Sequence, residues 1–69
     1  MDRESVFVCQ FRSRHGQRTA HVRAWDEREA EQAFREALRA DDVQERGTIE
    51  VCSRAGRRLE ASFDPAQVS

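Results

Sequence analysis

The run WDEREAEQAFREALRADD, residues 25–42, decides the fold, because it is the one helix-patterned segment in a chain otherwise patterned for strands. Asp26 followed by Glu29 reads as a capping box. The Asp carboxylate accepts a backbone N–H and the Glu reaches back, so the helix is predicted to begin at Glu27. Ala30, Ala33, Phe34, Ala37 and Leu38 then fall on one stripe, with Arg28, Glu31, Arg35, Glu36 and Arg39 opposite. A stripe made mostly of alanine lets a helix sit close to a sheet, with Phe34 and Leu38 as its bulky inserts. Asp41 and Asp42 oppose the negative end of the helix dipole, so the helix is expected to stop near Ala40. Trp25, directly before the cap, is expected to pack on Ala30 as a hydrophobic staple; anchoring a partner or stacking a base is the competing use of an aromatic there.

On either side of this helix lie paired strand patterns. Residues 6–12, VFVCQFR, and 19–25, TAHVRAW, are β-rich runs around Ser13 to Arg18, where His15-Gly16 supplies the left-handed position of a tight turn. Alternation puts Phe7, Cys9 and Phe11, then Ala20, Val22 and Ala24, on core faces. Residues 48–53, TIEVCS, and 58–63, RLEASF, alternate again around Arg54-Ala55-Gly56-Arg57, with Ile49, Val51, Leu59, Ala61 and Phe63 toward the helix. Pro65 ends the sheet, and 65–69 is read as a frayed tail. The fold class is therefore α+β: one ββαββ domain over 1–69, a four-stranded mainly antiparallel sheet with a helix on one face. A helical crossover makes strands two and three run the same way, so the two hairpin turns lie at opposite ends. The strand order 2-1-3-4 is preferred to 2-1-4-3.

Sixty-nine residues support one thin core. With 38% apolar and 36% charged residues, the chain is too apolar for a typical disordered segment and too charged for a thick interior. The segment MDRESVFVCQF does not resemble a signal or transit peptide, and no run is long and apolar enough to span a bilayer, so a cytoplasmic location is expected. The net charge of −1 supplies no global field for nucleic acid or anionic lipid. All twelve basic residues are arginine, whose planar fork suits carboxylates, phosphates and desolvated interfaces; the coding bias of a GC-rich genome accounts for the larger part of that usage.

Cys9, Cys52, His15 and His21 are the obvious reagents, but they are scattered over both sheet faces and a turn, without the paired spacing of a zinc site. A disulfide between cysteines on opposite faces is not expected. A Cys52 nucleophile needs His21, an orienting group and a dry pocket, which a four-stranded sheet with one helix does not offer. No enzyme and no cofactor are expected.

The sheet face away from the helix carries Val6, Val8, Gln10, Arg12, His21, Arg23, Glu50, Cys52, Arg54, Arg58, Glu60 and Ser62, with no segment left to cover it. Solvation accounts for such a face by default, and two valines among arginines weigh almost equally for an interface. The candidate partner contacts are Arg12, Arg23, Arg54 and Arg58. Arginines also cluster at the turns, so Arg14, Arg18 and Arg57 are the candidates for a nucleic-acid reading, in which basic hairpin tips grip phosphates. The crossover sets the acidic helix start near the second tip and Asp41, Asp42 and Glu45 near the first. Charge balancing within the chain thus explains most of the arginine pattern.

Ala24-Trp25-Asp26-Glu27-Arg28-Glu29-Ala30 at the helix start, Gly47-Thr48-Ile49-Glu50-Val51 into strand three, and the Gly-containing last hairpin give a layout that resembles small phage-encoded anti-CRISPR proteins of type I systems. The resemblance covers most of the chain in element order. It implies a protein that docks on a subunit of a CRISPR surveillance complex through charged surface residues and obstructs target DNA. Three readings follow: a non-catalytic inhibitor or adaptor bound to a host protein complex, a nucleic-acid binder, and a homodimer closing Val6 and Val8 against their symmetry mates.

Overall fold

The computed structural model describes residues 3–66. Its elements are β1 (Ser5–Ser13), β2 (Gly16–Ala24), α1 (Glu27–Ala40), β3 (Gly47–Cys52) and β4 (Arg58–Phe63). The four strands form one antiparallel sheet in the order β2-β1-β3-β4, with α1 across one face. The expected ββαββ fold and the preferred strand order are both present.

The first hairpin is longer and its turn tighter than the sequence suggested. Ser13 pairs with Gly16, so the turn is Arg14-His15, and β2 begins three residues earlier than expected. Gly16 carries the positive φ, +148°, while Arg14 and His15 do not, so the special backbone position falls at the first residue of β2. At the other end β3 stops at Cys52, and Arg54 belongs to the second turn, whose Gly56 has φ +88°. Ser53 holds that turn: its N–H donates to the Arg57 carbonyl at 2.9 Å, and its Oγ accepts from the Arg57 N–H at 3.0 Å.

Asp26 caps α1 as predicted, its Oδ1 accepting from the Glu29 N–H at 2.8 Å. The reciprocal bond differs: Glu29 accepts from the N–H of Trp25, one residue before the cap, at 2.9 Å. The helix ends in a Schellman arrangement. Val43 N–H donates to the Leu38 carbonyl and Asp42 N–H to the Arg39 carbonyl, each at 3.0 Å, and Val43 packs against the core. Asp42 occupies the left-handed position, φ +58°, that glycine most often takes.

The core consists of Phe7, Cys9, Phe11, Ala24, Ala30, Phe34, Leu38, Ile49, Val51 and Phe63. Phe11 and Phe63 meet edge to face, with ring centroids 5.5 Å apart at 79°. The buried helix stripe is rotated from the expected one. Ala30, Phe34 and Leu38 are buried, Ala33 and Ala37 are exposed, and Glu27, Glu31 and Arg35 are half-buried on the flank. Alanine contributes little area, whereas the Glu31–Arg35 pair reaches over β4. Arg35 bonds both Glu31 oxygens, at 3.0 and 3.3 Å, and donates to the Ser62 carbonyl at 3.0 Å.

Beyond β4, the Ala66 N–H donates to the Asp64 carboxylate at 2.9 Å in a turn with Pro65, so part of the expected tail is ordered. The rest of that tail, 67–69, lies outside the described residues, as do the first two residues of the predicted domain. No helix among the described residues is long and apolar enough to cross a membrane.

Candidate docking face

Register lays out the open face in rows. His21, Val8, Cys52 and Arg58 form one row across all four strands, Thr19, Gln10, Glu50 and Glu60 the next, and Gln17, Arg12, Thr48 and Ser62 a third. Arg23 and Val6 pair at the margin. Among the described residues, Val8 is one of two large apolar side chains left exposed, at 41%.

Glu50 organises this surface. It lies on the central strand β3 of the open face, yet is only 7% exposed, between two arginines on its diagonals. Arg12 Nη2 stands 3.4 Å from Oε1 and Arg58 Nη2 stands 3.9 Å from Oε2. A carboxylate this enclosed needs such partners. Each arginine reaches Glu50 through one Nη and leaves most of its side chain in solvent, at 57% and 67% exposure. Glu50 thereby holds Arg12 by a hydrogen bond and attracts Arg58 by charge alone. Glu60 stands directly opposite Glu50 across β3–β4, a like-charge pair that the arginines offset.

The predicted arginines separate into three groups. Arg12, Arg23 and Arg58 share the open face as expected. Arg54 does not: the turn carries it to the opposite side, into a cleft of about 310 Å³ with Trp25, Asp26 and Arg57 at the start of α1. Of the tip arginines, Arg18 is bound to Asp41 at 2.8 Å and Arg57 lies 3.8 Å from Glu27, whereas Arg14 makes no ion pair among the described residues. Each hairpin tip is thus tied to the near end of the helix by opposite charge. Trp25, expected to pack on Ala30 as a staple, is 54% exposed in the Arg54 cleft. The burial of Glu50 was missed from sequence, because its partners lie on two other strands and only the register brings them together.

A second cluster closes the first tip. Glu45 Oε2 lies 2.6 Å from His15 Nδ1 and accepts from Ser13 Oγ at 2.9 Å, at the rim of a cavity of about 380 Å³ between the tip and the α1–β3 loop. These hydrogen bonds, from His15 first and then Ser13, hold the Glu45 carboxyl below its ordinary value. The set does not form an activated nucleophile: the hydroxyl bonds to the carboxylate, where a nucleophilic serine would bond to the imidazole. It is a clasp between two loops.

The thiols sit on opposite faces. Cys9 is fully buried, its Sγ 4.0 Å from the Ala30 carbonyl, and burial, then Cys52 and Glu31, push it up to about 11. Cys52 is half-buried beside Arg58, and both cysteines are free. Among the described residues, no three His, Cys, Asp or Glu side chains converge to hold a metal ion.

Comparison with protein-family models, with curated proteins and with solved structures returns no match to this chain.

Proposed function

We propose that this chain is a small non-catalytic binding protein that docks on a host protein complex through its open sheet face, as an anti-CRISPR-like inhibitor of a surveillance complex. The observation that carries the reading is the Arg12–Glu50–Arg58 arrangement around exposed Val8, with Arg23 at the margin. An arginine whose fork is already engaged, as Arg12 is, loses less freedom on binding, and arginines beside an apolar anchor are favoured interface hot spots. Nucleic-acid binding through the hairpin tips is the weaker reading, since Arg18 and Arg57 already face Asp41 and Glu27, leaving Arg14 as the remaining tip candidate.

The test is binding to a purified type I surveillance complex, with Arg23→Ala/Arg58→Ala as the comparison and Arg12 left to hold Glu50. The expected result is saturable binding that competes with target DNA and weakens at least about 30-fold in the folded double variant, the loss of one hot spot or more. No binding, or equal binding by the folded variant, overturns the reading. Binding to free DNA that falls steeply with salt would move the assignment to nucleic acid.

A further inference from the structure

The sheet has two edges, and they are protected unequally. Hydrogen bonding in an antiparallel sheet alternates along each strand, so one observed bond fixes which backbone groups point outward everywhere. The Ser53 N–H bonded to the Arg57 carbonyl sets the β3–β4 alternation. It leaves Arg58, Glu60 and Ser62 facing out on β4, in agreement with Arg35 donating to the Ser62 carbonyl. Carried through β1, the same alternation turns the N–H and C=O of Gln17, Thr19, His21 and Arg23 outward on β2. The β4 edge is six residues long and is capped by Arg35. The β2 edge is nine residues long, in unbroken register with β1, with no proline and no bulge. No hydrogen bond from elsewhere among the described residues reaches its four outward residues' backbone. Of the devices that usually blunt native edges, β2 lacks short length, proline and a bulge, and keeps only the charges of Arg18 and Arg23.

We propose that β2 pairs with β2 of a second copy, antiparallel across a two-fold axis at Ala20, joining two sheets into one of eight strands. The register follows from the strand itself. Centred on Ala20, Gln17 meets Arg23 of the second copy and Thr19 meets His21, so all four outward residues pair and exchange eight hydrogen bonds. A shift of two residues either way leaves one residue of each strand hanging, and a shift of one turns the bonding groups away from each other. On the open face no arginine stands opposite an arginine. On the helix side, Arg18 crosses the half-buried Val22 of the second copy. The pairing does not depend on the docking reading, but it makes the two open faces continuous.

The experiment uses the intact chain alone. Sedimentation equilibrium from micromolar to millimolar concentration is expected to show the mass rising from 8.0 kDa to that of a dimer. Amide exchange should slow with concentration at Gln17, Thr19, His21 and Arg23, and not at Arg58, Glu60 or Ser62. Gln17→Glu, facing an arginine of the second copy at two symmetric positions, should tighten the dimer about 2- to 30-fold, and Gln17→Arg should loosen it by a similar factor. A monomer at millimolar concentration, a dimer that leaves those four amides unprotected, or one indifferent to the charge at position 17 overturns the proposal. A monomer that still binds the surveillance complex through Arg23 and Arg58 overturns this pairing alone and leaves the docking face standing.

Discussion

Replacing Gly47 by alanine tests how closely β1 and β3 are fitted. An alanine Cβ there would sit on the carbonyl oxygen of Arg12 and within 2.6 and 2.9 Å of Phe11 Cε1 and Cζ. Ordinary glycine-to-alanine changes in compatible backbone stabilise by about 0.4–1 kcal/mol, because they restrict the unfolded chain. Here the sign reverses. Gly47 is held between Ser13 of β1 and Phe63 of β4, so it has no free side to retreat to, and Phe11 is packed edge to face on Phe63. Overpacking of this kind costs about 1–3 kcal/mol, and a clash with backbone belongs at the upper end, about 3 kcal/mol. A chain of this length has about 3–10 kcal/mol in total, so the variant should lie near the edge of folding. Thermal unfolding followed by circular dichroism should show the midpoint falling by about 12–24 °C. A midpoint equal to or above that of the parent chain would mean that the two strands are not in contact at this point, and would undo the β1–β3 register.

Four further outcomes follow from the same geometry. Asp42→Gly relieves a left-handed residue and removes an anion from the negative end of α1, and should stabilise by about 1 kcal/mol after the cost of glycine's freedom; an unchanged urea midpoint would contradict it. Glu60→Gln removes the charge opposite Glu50 and should add about 0.2–1 kcal/mol in the same assay, whereas a loss would show that Glu60 serves the arginines. In the native protein a disulfide reagent should titrate one thiol, Cys52, with Cys9 reacting only on unfolding; two fast native thiols would refute the burial of Cys9. Because His15 and Ser13 lower the Glu45 carboxyl, its contribution is present above the unfolded value of 4.5 and is lost as pH falls through the folded value. The stability gap between the parent chain and Glu45→Gln should therefore close on acidification below about pH 4.5, and a gap that widens would reverse the assignment.

Most of the architecture was legible in local pattern. Phe7, Cys9 and Phe11 alternate as they are buried, Asp26 and Glu29 mark the helix start, and two short connections leave few strand orders. What was not legible depends on long-range register or on side-chain length. In sequence Ala33 and Ala37 look apolar and Glu31 and Arg35 look solvated, which points to a stripe the fold buries only in part. The reverse holds, because the Glu31–Arg35 pair is long enough to lie over β4 and bond its edge. Strict alternation carried past the end of β3 puts Arg54 on the open face, but the strand stops at Cys52 and the turn redirects it. The open face was recognisable as a surface without a cover, but its organising residue, Glu50, was not. Neither Arg12 nor Arg58 is near it in sequence, and nothing local distinguishes it from Glu60. The Ser13–His15–Glu45 clasp was hidden for the same reason, since its parts are some 30 residues apart.

The central position of β1 also sets the order in which the chain can assemble. Its bond to β2 closes across a two-residue turn, whereas its bond to β3 must close the segment from Ser13 to Gly47. Loop closure over that longer segment costs on the order of 2–3 kcal/mol more. By loop closure alone the second hairpin would dock last. Yet it brings Ile49, Val51 and Phe63, three of the largest fully buried side chains. A half-assembled chain of β1, β2 and α1 lacks the wall its own apolar side chains pack against, so the intermediate that topology favours is one that burial leaves unpopulated, and folding should be all-or-none.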